Sequence, residues 1–466
     1  MSNSSLPSNI GFSDIEADYA PPTLLYSGPR GIAIRLLSRA ESSDAYVEKM
    51  IEQELRSDEW SHYDRALFIE LVYGTLRWQN RLDWILTGFY HGEFNKCILP
   101  VKNAMRVALY QILMLSKVSP MTAISESVAI IKRIKDEKSA NVISGVLKNI
   151  LRNIDGIRYP NKEENLQLFL SVTLSHPLWI VKRWCERFGD ETAEKLLTAN
   201  NERPVIHIRV NKLKSNIDSV TAWLKEHEIS NEISTIAPHY FRINGLQNIE
   251  STEIYQEGHI AKLDATANLI LQLAQVSQGK YIVDLGAVSG MKALACAEEM
   301  NNKGKVVAVA KYDEQLRHIE KHSRRLGITC ITSVASDPVN FSCSDSPDII
   351  IAEAPSSELG LLQRKPDIKW RTEIDVIRKH NNSQKAMLQN AAKCLKSGGV
   401  LIYTIASSEP EETTQIVDWF LQQHPDFIKQ DASNFVAQEF CQDGYLITYP
   451  HIHKTDGVFA VRFIKQ

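Results

Sequence analysis

The sequence predicts a protein of several domains, with an all-helical N-terminal part, a small α+β middle part and a C-terminal α/β part built on a mostly parallel sheet. Apolar residues recur at helical spacing from about residue 23 to residue 153. An alternating strand pattern at 205–210 then follows two helical patterns. After about residue 259, short β-rich apolar runs alternate with amphipathic helical stretches. At 466 residues the chain also exceeds what one hydrophobic core usually organises.

The composition is that of an ordinary globular protein. The formal net charge is −3 and 44% of residues are hydrophobic, so contact with nucleic acid would have to come from local basic patches. Seven cysteines are scattered without metal-ligand spacing, which predicts reduced thiols in the cytoplasm, no disulfides and no metal site. Residues 1–22 are polar and lack a signal-peptide pattern, so we expect a disordered leader. No apolar run is long enough for a membrane span, and we expect a soluble protein.

The N-terminal part, residues 23–155, is predicted to be all helical. Its clearest helix carries the pairs Val142/Ile143, Val146/Leu147 and Ile150/Leu151, spaced four residues apart, which make one continuous apolar stripe that must pack on other helices. A segment from Asp64 to about Tyr90 has Asp64 as a candidate N-cap, and a third helical pattern covers 101–115. Residues 156–176 are predicted to be a linker, and residues 177–258 a small α+β module.

The C-terminal part, residues 259–466, has apolar runs at 281–285, 305–309, 348–351, 400–405 and 458–463. Continuous apolar strands separated by helices predict a sheet covered on both faces, with its ligand site at the carboxyl ends of the strands. The first run continues into the loop VDLGAVSGMK at 283–292. A strand, a small-residue loop and a helix let the backbone approach a nucleotide-like cofactor, although glycines in a tight turn would give the same pattern.

Three further segments carry a specific resemblance. They are APSSELG at 354–360, KPDIKW at 365–370 and GGVLIYTIAS at 398–407, followed by PEE at 410–412. In order and spacing they resemble the bacterial ribosomal-RNA cytosine-5 methyltransferases of the RsmB (Sun, Fmu) type. The segments LVYGTLRW at 71–78 and RLDW at 81–84 resemble the NusB-like RNA-binding domain that begins those proteins. The resemblance implies a NusB-like helical domain, a small RNA-binding module and a Rossmann-like methyltransferase domain.

The family transfers a methyl group from S-adenosylmethionine to C5 of a cytosine in folded RNA. A cysteine thiolate first adds to C6, which makes C5 nucleophilic, and a second cysteine assists product release. The positions that match these cysteines hold Ala406 and Ser356. Alanine has no nucleophile, and a serine hydroxyl does not ionise near neutral pH as a thiol can. The family's activity, RNA (cytosine-5-)-methyltransferase, therefore lacks its covalent step here.

The resemblance also implies the residues of the cofactor site. The positions that match the S-adenosylmethionine contacts are Asp284, Gly290, Lys292, Asp337 and Glu353. In the loop itself, Gly286, Val288, Ser289 and Met291 depart from the family pattern, and Met291 is bulky where the backbone should approach the ligand. Ala310 replaces the acidic residue that accepts hydrogen bonds from the ribose, and Glu353 replaces the usual aspartate. Asp337 matches the carboxylate that would meet the adenine amino group. Losing a charged acceptor costs about 1.5 to 3 kcal/mol. Asp284 and Lys292 could also serve only to hold a strand-to-helix turn.

Candidate RNA contacts lie in all three parts of the chain. In the helical part, Arg77 and Arg81 could face RNA, and a solvated basic face is their alternative role. The resemblance places Arg209, Asn211 and Lys262 where the family contacts its substrate. Lys365 and Lys369 flank Trp370 and could grip a phosphate. Arg364 lies beside the last two and could also grip a phosphate.

Three functions remain open on the sequence. The first is a catalytically inactive relative, or pseudoenzyme, that still binds structured RNA, expected to be ribosomal, with a protein partner possible through the helical domain. The second is a working S-adenosylmethionine-dependent RNA methyltransferase, acting on cytosine or on an atom that needs no thiol. The third is a protein-binding scaffold.

Overall fold

A computed structural model describes residues 25–43, 45–56, 60–244 and 248–466. The chain divides into two compact units, Met1–Ser175 and His176–Gln466. The leader predicted for residues 1–22 lies outside the described residues.

The first unit is helical, as predicted. Its α-helices are Gly28–Glu41, Val47–Glu54, His62–Arg77, Gln79–Phe89, Leu99–Met114, Pro120–Ile134, Glu137–Arg152 and Leu166–Thr173. The helix Glu137–Arg152 buries Ile143, Val146, Leu147 and Ile150 of the predicted stripe, whereas Val142 is exposed to solvent. The last helix, Leu166–Thr173, lies inside the stretch predicted to be a linker.

The predicted N-cap at Asp64 is wrong. Ser61 caps the helix His62–Arg77, because its hydroxyl oxygen accepts a hydrogen bond from the Asp64 N–H at 3.1 Å. The single helical segment predicted up to Tyr90 is also two helices, which meet at Trp78. Asp64 instead lies in the first turn, where its negative charge is favourable near the helix N-terminus.

The second unit begins with an α+β module, as predicted. Its strands are β1 Ile206–Val210, β2 Ser230–Ile233, β3 Tyr240–Asn244 and β4 Ile260–Lys262, in the antiparallel order β2-β3-β1-β4. Ile208, Val220 and Phe241 are fully buried in its core. Although β4 follows the predicted domain boundary at residue 258, it pairs with β1. The helices of this module are Leu178–Phe188, Asp190–Asn200, Ile217–Glu226 and the short Glu253–Gln256.

The rest of the second unit is built on one large sheet. Its strands are β5 Tyr281–Leu285, β6 Lys305–Ala310, β7 Ile331–Ala335, β8 Ile349–Glu353, β9 Val400–Ile405, β10 Phe427–Gln430, β11 Cys441–Gln442, β12 Tyr445–Ile447 and β13 Phe459–Lys465. Their order is β11-β12-β13-β9-β8-β5-β6-β7, and β10 pairs with β13. Strands β5 to β9 pair in parallel, as predicted, whereas β13 runs antiparallel to β9.

Helices cover both faces of this sheet. They are Thr266–Ala274, Met291–Glu299, Asp313–Leu326, Ile368–Arg371, Ile374–Cys394, Thr414–Gln423 and Pro450–His453. Ile282 and Ala308 face one apolar cluster, and Val283 and Val309 face the other, because side chains alternate along a strand. The parallel strands therefore present all their carboxyl ends at one edge, where the candidate site lies.

Among the described residues, no helix is both long enough and apolar enough to cross a membrane.

Candidate active site

The two positions that match the family's cysteines lie side by side. Strands β8 and β9 are parallel neighbours, with Glu353 opposite Thr404. Ala406 follows the last residue of β9, and Ser356 follows β8 by three residues. The loops after these strands are joined by a hydrogen bond from the Gly360 N–H to the Ala406 carbonyl at 2.9 Å. The pairing of β8 with β9 therefore brings both positions to the same edge of the sheet.

Neither position presents a thiol. Ala406 is half-buried and has only a methyl group as its side chain. The Ser356 hydroxyl oxygen accepts a hydrogen bond from the Glu358 N–H at 3.3 Å, where the chain turns through a positive φ of 56°. Ser356 thus supports a turn, and no ionised nucleophile lies next to Ala406 in its place.

Directly behind these two positions is a buried polar group that the sequence did not single out. The Ser357 hydroxyl donates to Glu412 Oε2 at 2.6 Å, and the Ser357 N–H donates to Glu412 Oε1 at 2.7 Å. Burial raises the pKa of Glu412, and the hydrogen bonds from Ser357 oppose that shift. The Gln384 amide donates to the Pro355 carbonyl at 2.9 Å. These buried hydrogen bonds hold together the loops that follow β8 and β9.

The loop after β5 is folded back onto the neighbouring strand. The N–H groups of Gly286 and Ala287 both donate to the Val309 carbonyl, at 3.1 and 2.9 Å. Gly286 has a φ of +88°, and a Cβ atom placed on it would lie 2.3 Å from the Glu353 carbonyl oxygen. Only glycine fits there without a shift of the backbone. Two N–H groups of the loop therefore bond to the protein's own backbone, and a ligand could not bond to them without breaking those hydrogen bonds.

The second glycine of this loop, Gly290, precedes the helix Met291–Glu299. Its φ is +67°, and a Cβ atom there would lie 2.2 Å from the Ile319 side chain. Met291, the first residue of the helix, is half-buried and packs against the apolar core. Part of the Met291 side chain is therefore buried in the core. The sequence alone could not show this packing.

A buried carboxylate and an ion pair stand beside the loop. Asp284, in β5, is 1% exposed, and neither of its carboxylate oxygens has a hydrogen-bond partner among the described residues. Burial raises the pKa of Asp284 to about 7, and the Lys292 charge opposes that shift. Lys292 Nζ lies 2.6 Å from Glu353 Oε1. Burial acts to lower the pKa of Lys292, but the carboxylates of Glu353 and Asp284 outweigh it and raise that pKa.

Two other cofactor positions lie at the ends of the next two strands, β6 and β7. Ala310 is the last residue of β6 and is fully buried, so the end of this strand offers no side-chain acceptor. Lys311, the residue after it, places its ammonium 2.9 Å from Asp337 Oδ2. This hydrogen bond lowers the pKa of Asp337. Asp337 is thus already paired with a cation from the same protein.

S-adenosylmethionine fits one half of this site. The amino-acid end of the cofactor carries an ammonium group. This group could donate a hydrogen bond to the buried Asp284 carboxylate, which has no hydrogen bond among the described residues. Its ribose would meet Ala310, which has no acceptor, and its adenine would meet Asp337, which is engaged by Lys311. The residues present therefore do not fit the whole cofactor, and no chemical step is derived through it.

Two of the predicted RNA contacts are buried inside the second unit. Arg209 is 1% exposed and lies 3.2 Å from Glu298 and 3.5 Å from Glu299, on the helix Met291–Glu299. The Asn211 amide is fully buried and donates to the Gly258 and Leu326 carbonyls, at 2.7 and 2.9 Å. These contacts join the α+β module to the sheet and account for both residues without RNA.

The residues around Trp370 are also engaged internally. Lys369 is buried and donates to the Asn201 side chain at 2.6 Å. Lys365 lies 3.0 Å from Glu358 and is half-buried. Lys262 lies 2.9 Å from Glu250 at the surface, where its charge is accessible. Of these three lysines, Lys262 is the most exposed.

Arg364 is the centre of a buried ionic cluster. Its guanidinium contacts Asp264 at 2.8 Å and Asp456 at 2.6 Å. His207, from β1, lies 2.9 Å from the Asp264 carboxylate. Burial alone would raise the pKa of Asp264, but the His207 hydrogen bond and the Arg364 charge hold it well below its usual range. Arg364 also donates to the Val205 carbonyl, just before β1, at 3.1 Å. It thus ties β1 to the loop after β8, and its charge is engaged by the two carboxylates.

In the first unit, the two arginines singled out from the sequence differ in exposure. Arg77 is 8% exposed. Arg81 is half-buried and stacks over the rings of Trp78 and Tyr159, with its guanidinium carbon 5.6 and 5.1 Å from the ring centres. Its Nε atom also donates to the Tyr159 hydroxyl at 3.1 Å. These ring contacts and the hydrogen bond hold the Arg81 side chain in place at the half-exposed surface.

Comparison with protein families gives three matches along the chain. Residues 27–152 match the NusB family, and residues 176–250 match a ferredoxin-like domain described as RsmF/B-like. Residues 270–464 match the family described as 16S rRNA methyltransferase RsmB/F. The three regions cover both units of the described structure.

Curated relatives match over nearly the whole chain. The "Probable ribosomal RNA small subunit methyltransferase B" of Bacillus subtilis is 30% identical over 446 residues, which cover 94% of this chain and 98% of the relative. The protein of the same name from Synechocystis is 26% identical and covers 94% and 99%. The "Ribosomal RNA small subunit methyltransferase B" of Klebsiella pneumoniae is 28% identical and covers 87% and 91%.

Solved structures share the fold. The crystal structure of PH0851 superposes with a TM-score of 0.78 at 24% identity, covering 94% of this chain and 99% of that one. A methyltransferase homologue from Pyrococcus horikoshii superposes with a TM-score of 0.55 at 22% identity, covering 64% and 99%.

Proposed function

The chain belongs to the 16S rRNA methyltransferase RsmB/F family, and on that premise we propose that it binds ribosomal RNA without catalysing the family's cysteine-dependent methyl transfer. Its role would then be that of an RNA-binding pseudoenzyme acting where ribosomal RNA is processed, in the cytoplasm.

The observation that carries the proposal is the side chain at the end of β9. Carbon 5 of cytosine is a poor nucleophile until a group adds to carbon 6, and the family uses a thiolate for that addition. Ala406 offers a methyl group at this position, and the Ser356 hydroxyl beside it is neutral at physiological pH and supports a turn. All seven cysteines of the chain lie outside both positions. The covalent step therefore has no group to perform it.

The methyl donor's site supports the same conclusion. Without an acceptor at Ala310, the ribose hydroxyls lose hydrogen bonds to a charged group, which are worth about 1.5 to 3 kcal/mol. That loss alone weakens binding by roughly ten- to a hundredfold. The Lys311–Asp337 ion pair would also have to open before Asp337 could contact an adenine. We therefore propose that S-adenosylmethionine binds weakly or not at all.

RNA binding rests on surface groups in both units. Arg81, which is half-buried in the NusB-like unit, lies near the rings of Trp78 and Tyr159, and Lys262 is exposed on β4 of the ferredoxin-like module. Such contacts to phosphates and bases need no catalytic residue and would survive the loss of the reaction. Arg209, Asn211 and Lys369 are assigned to internal packing in this proposal.

A second function is favoured by one observation. The buried Asp284 carboxylate beside Lys292 is a costly arrangement, and perturbed groups of this kind cluster at working sites. It supports a methyltransferase that still binds its cofactor and modifies an atom that needs no thiol.

One experiment separates the two functions. S-adenosylmethionine is titrated calorimetrically into the natural chain and into the variant Ala406→Cys, Ser356→Cys, Ala310→Asp, Met291→Gly. Ribosomal RNA binding and tritiated methyl incorporation are measured on both proteins. We expect the natural chain to bind RNA, to give no heat at millimolar cofactor and to incorporate no methyl group. Methyl groups appearing at C5 of cytosine would overturn the pseudoenzyme, and methylation elsewhere would establish the second function.

A further inference from the structure

A cavity of about 170 Å³ opens at the carboxyl edge of the sheet, on the far side of β9 from the cofactor loop. It lies beside the ends of β12 and β13, where Phe459 pairs with both Ile405 and Ile447. Six residues that line it carry the argument: Arg187, Phe188, Ser408, Thr414, Gln442 and Tyr449.

The cavity is next to the position of the missing nucleophile. Ser408 is two residues beyond Ala406, and two residues of extended chain span at most about 7 Å. Along the edge, the order of features is the loop after β5, the loops that carry Ser356 and Ala406, and then this cavity. A strand of RNA with one nucleotide at Ala406 would therefore place a neighbouring nucleotide here.

The cavity is lined by aromatic rings and polar side chains, the groups that bind a nucleotide. Phe188 and Tyr449 meet edge to face with ring centres 5.7 Å apart, which gives a base an aromatic wall. The side chains of Ser408, Thr414 and Gln442 make no hydrogen bonds within the part of the chain that the structure describes, so their polar groups are available to a base or a ribose.

Arg187 brings a positive charge that is only partly neutralised. Its Nη1 atom is 3.7 Å from Glu409 Oε1, beyond hydrogen-bond distance. The Glu409 carboxylate, which is fully buried, is bonded instead by Arg183 and by the Trp184 indole N–H at 2.9 Å. Arg187 is exposed and its guanidinium stacks over Phe188 at 4.6 Å. A partly free guanidinium at the rim is suited to a phosphate.

The size of the cavity selects the ligand. An engineered protein cavity of about 150 Å³ holds one benzene ring, and pockets for drug-sized ligands begin near 300 Å³. A cavity of about 170 Å³ thus admits a single six-membered ring more readily than the two fused rings of a purine.

We propose that this cavity binds a pyrimidine nucleotide of single-stranded RNA, next to the nucleotide that would lie at Ala406. The base packs against Phe188 and Tyr449, and Arg187 holds a phosphate. The inference rests on the proposed RNA-binding function and gives it a position on the second unit. It needs neither a thiol nor a methyl donor.

The test uses the full chain and free nucleotides. Cytidine, uridine and adenosine monophosphates are titrated and followed by ligand-observed NMR. The variants are Thr414→Trp, which fills the cavity, and Arg187→Ala, which removes its charge. Their matched controls are Gln422→Trp, at an exposed position near the end of the same helix, and Arg324→Ala, at an exposed arginine on another helix. Thermal melting checks that every variant is folded.

We expect the pyrimidine nucleotides to bind at least about fivefold more tightly than adenosine monophosphate. Thr414→Trp and Arg187→Ala should each weaken that binding by about tenfold or more, and the controls should leave it unchanged. Equal binding of cytidine and adenosine monophosphates, no binding of either, or binding unaffected by Thr414→Trp would each overturn the proposal.

Photo-crosslinking connects this site to RNA. Ribosomal RNA carrying 5-iodouridine is expected to crosslink to Tyr449 or Phe188, as mapped by mass spectrometry. If the natural chain binds this RNA but crosslinks only in the first unit, the pyrimidine site is overturned and the proposed function stands. If the chain binds no ribosomal RNA, the proposed function itself fails.

Discussion

Lys311 Nζ lies 2.9 Å from Asp337 Oδ2, so the carboxylate that the family would turn towards adenine is paired with a lysine from the neighbouring strand end. Lys311 directly follows Ala310, where the ribose acceptor is missing. In the proposed function, these two adjacent residues would account for the loss of both contacts to the nucleoside.

The Lys311–Asp337 pair predicts that removing Lys311 strengthens cofactor binding once the acidic residue at position 310 is restored. In an Ala310→Asp background, Lys311→Ala should strengthen S-adenosylmethionine binding by roughly two- to fivefold, because opening an exposed ion pair costs at most about 1 kcal/mol. Lys305→Ala is the matched control, since Lys305 begins the same strand and pairs with Asp345 at its other end. Calorimetry measures both. Equal effects of the two substitutions would contradict a role for Lys311.

Gly286 predicts a strict steric requirement. Gly286→Ala should lower the free energy of unfolding by at least about 2 kcal/mol more than Gly398→Ala. Both glycines have positive φ, at +88° and +72°, but a Cβ atom meets the Glu353 carbonyl oxygen at 2.3 Å in the first and nothing within 4 Å in the second. Urea unfolding of the two variants gives the difference. Similar losses would mean that the loop relaxes freely.

Asp284 predicts a pH-dependent stability. Its pKa is raised to about 7 in the folded protein, whereas an unfolded Asp titrates near 3.9. The neutral form therefore stabilises the fold below about pH 4, and this contribution is lost as the pH rises through 7. Over that range the loss amounts to at most about 4 kcal/mol.

Replacing Asp284 by Asn should flatten that dependence. The stability of Asp284→Asn relative to the natural chain is expected to rise between pH 5 and pH 8, in chemical unfolding at matched ionic strength. Asp345→Asn, at an exposed position, serves as the control and should follow the natural chain. Curves for Asp284→Asn that stay parallel to the natural chain would show that the carboxyl is charged throughout.

Arg364 predicts a large loss of stability in the second unit. Arg364→Met should cost about 3 to 5 kcal/mol, because it leaves the carboxylates of Asp264 and Asp456 buried without their cation. The double variant Arg364→Met, Asp456→Leu should recover part of that loss. Lys195→Ala, which breaks an exposed pair with Glu191, should change the urea midpoint little. A small effect of Arg364→Met would mean that water replaces the guanidinium.

The sequence determined the architecture because hydrophobic periodicity is a local property. The runs at 281–285 and 400–405 coincide with β5 and β9, and the helical stripe at Ile143 and Leu147 is buried as predicted. Motif order identified Ala406 and Ser356 as the positions that match the family's cysteines, and the pairing of β8 with β9 brings them to one edge of the sheet.

Only the tertiary structure decided which polar residues are accessible to a ligand and which are buried or paired within the protein. Arg209, Asn211 and Lys369 were candidate RNA contacts, but packing buries them against groups that are distant in sequence. The backbone of Gly286 and the Lys311–Asp337 pair likewise depend on where neighbouring strands end. Whether a charged side chain is buried, and which group it pairs with, depends on residues that are distant in sequence. A sequence pattern can therefore identify a charged side chain but not its partner.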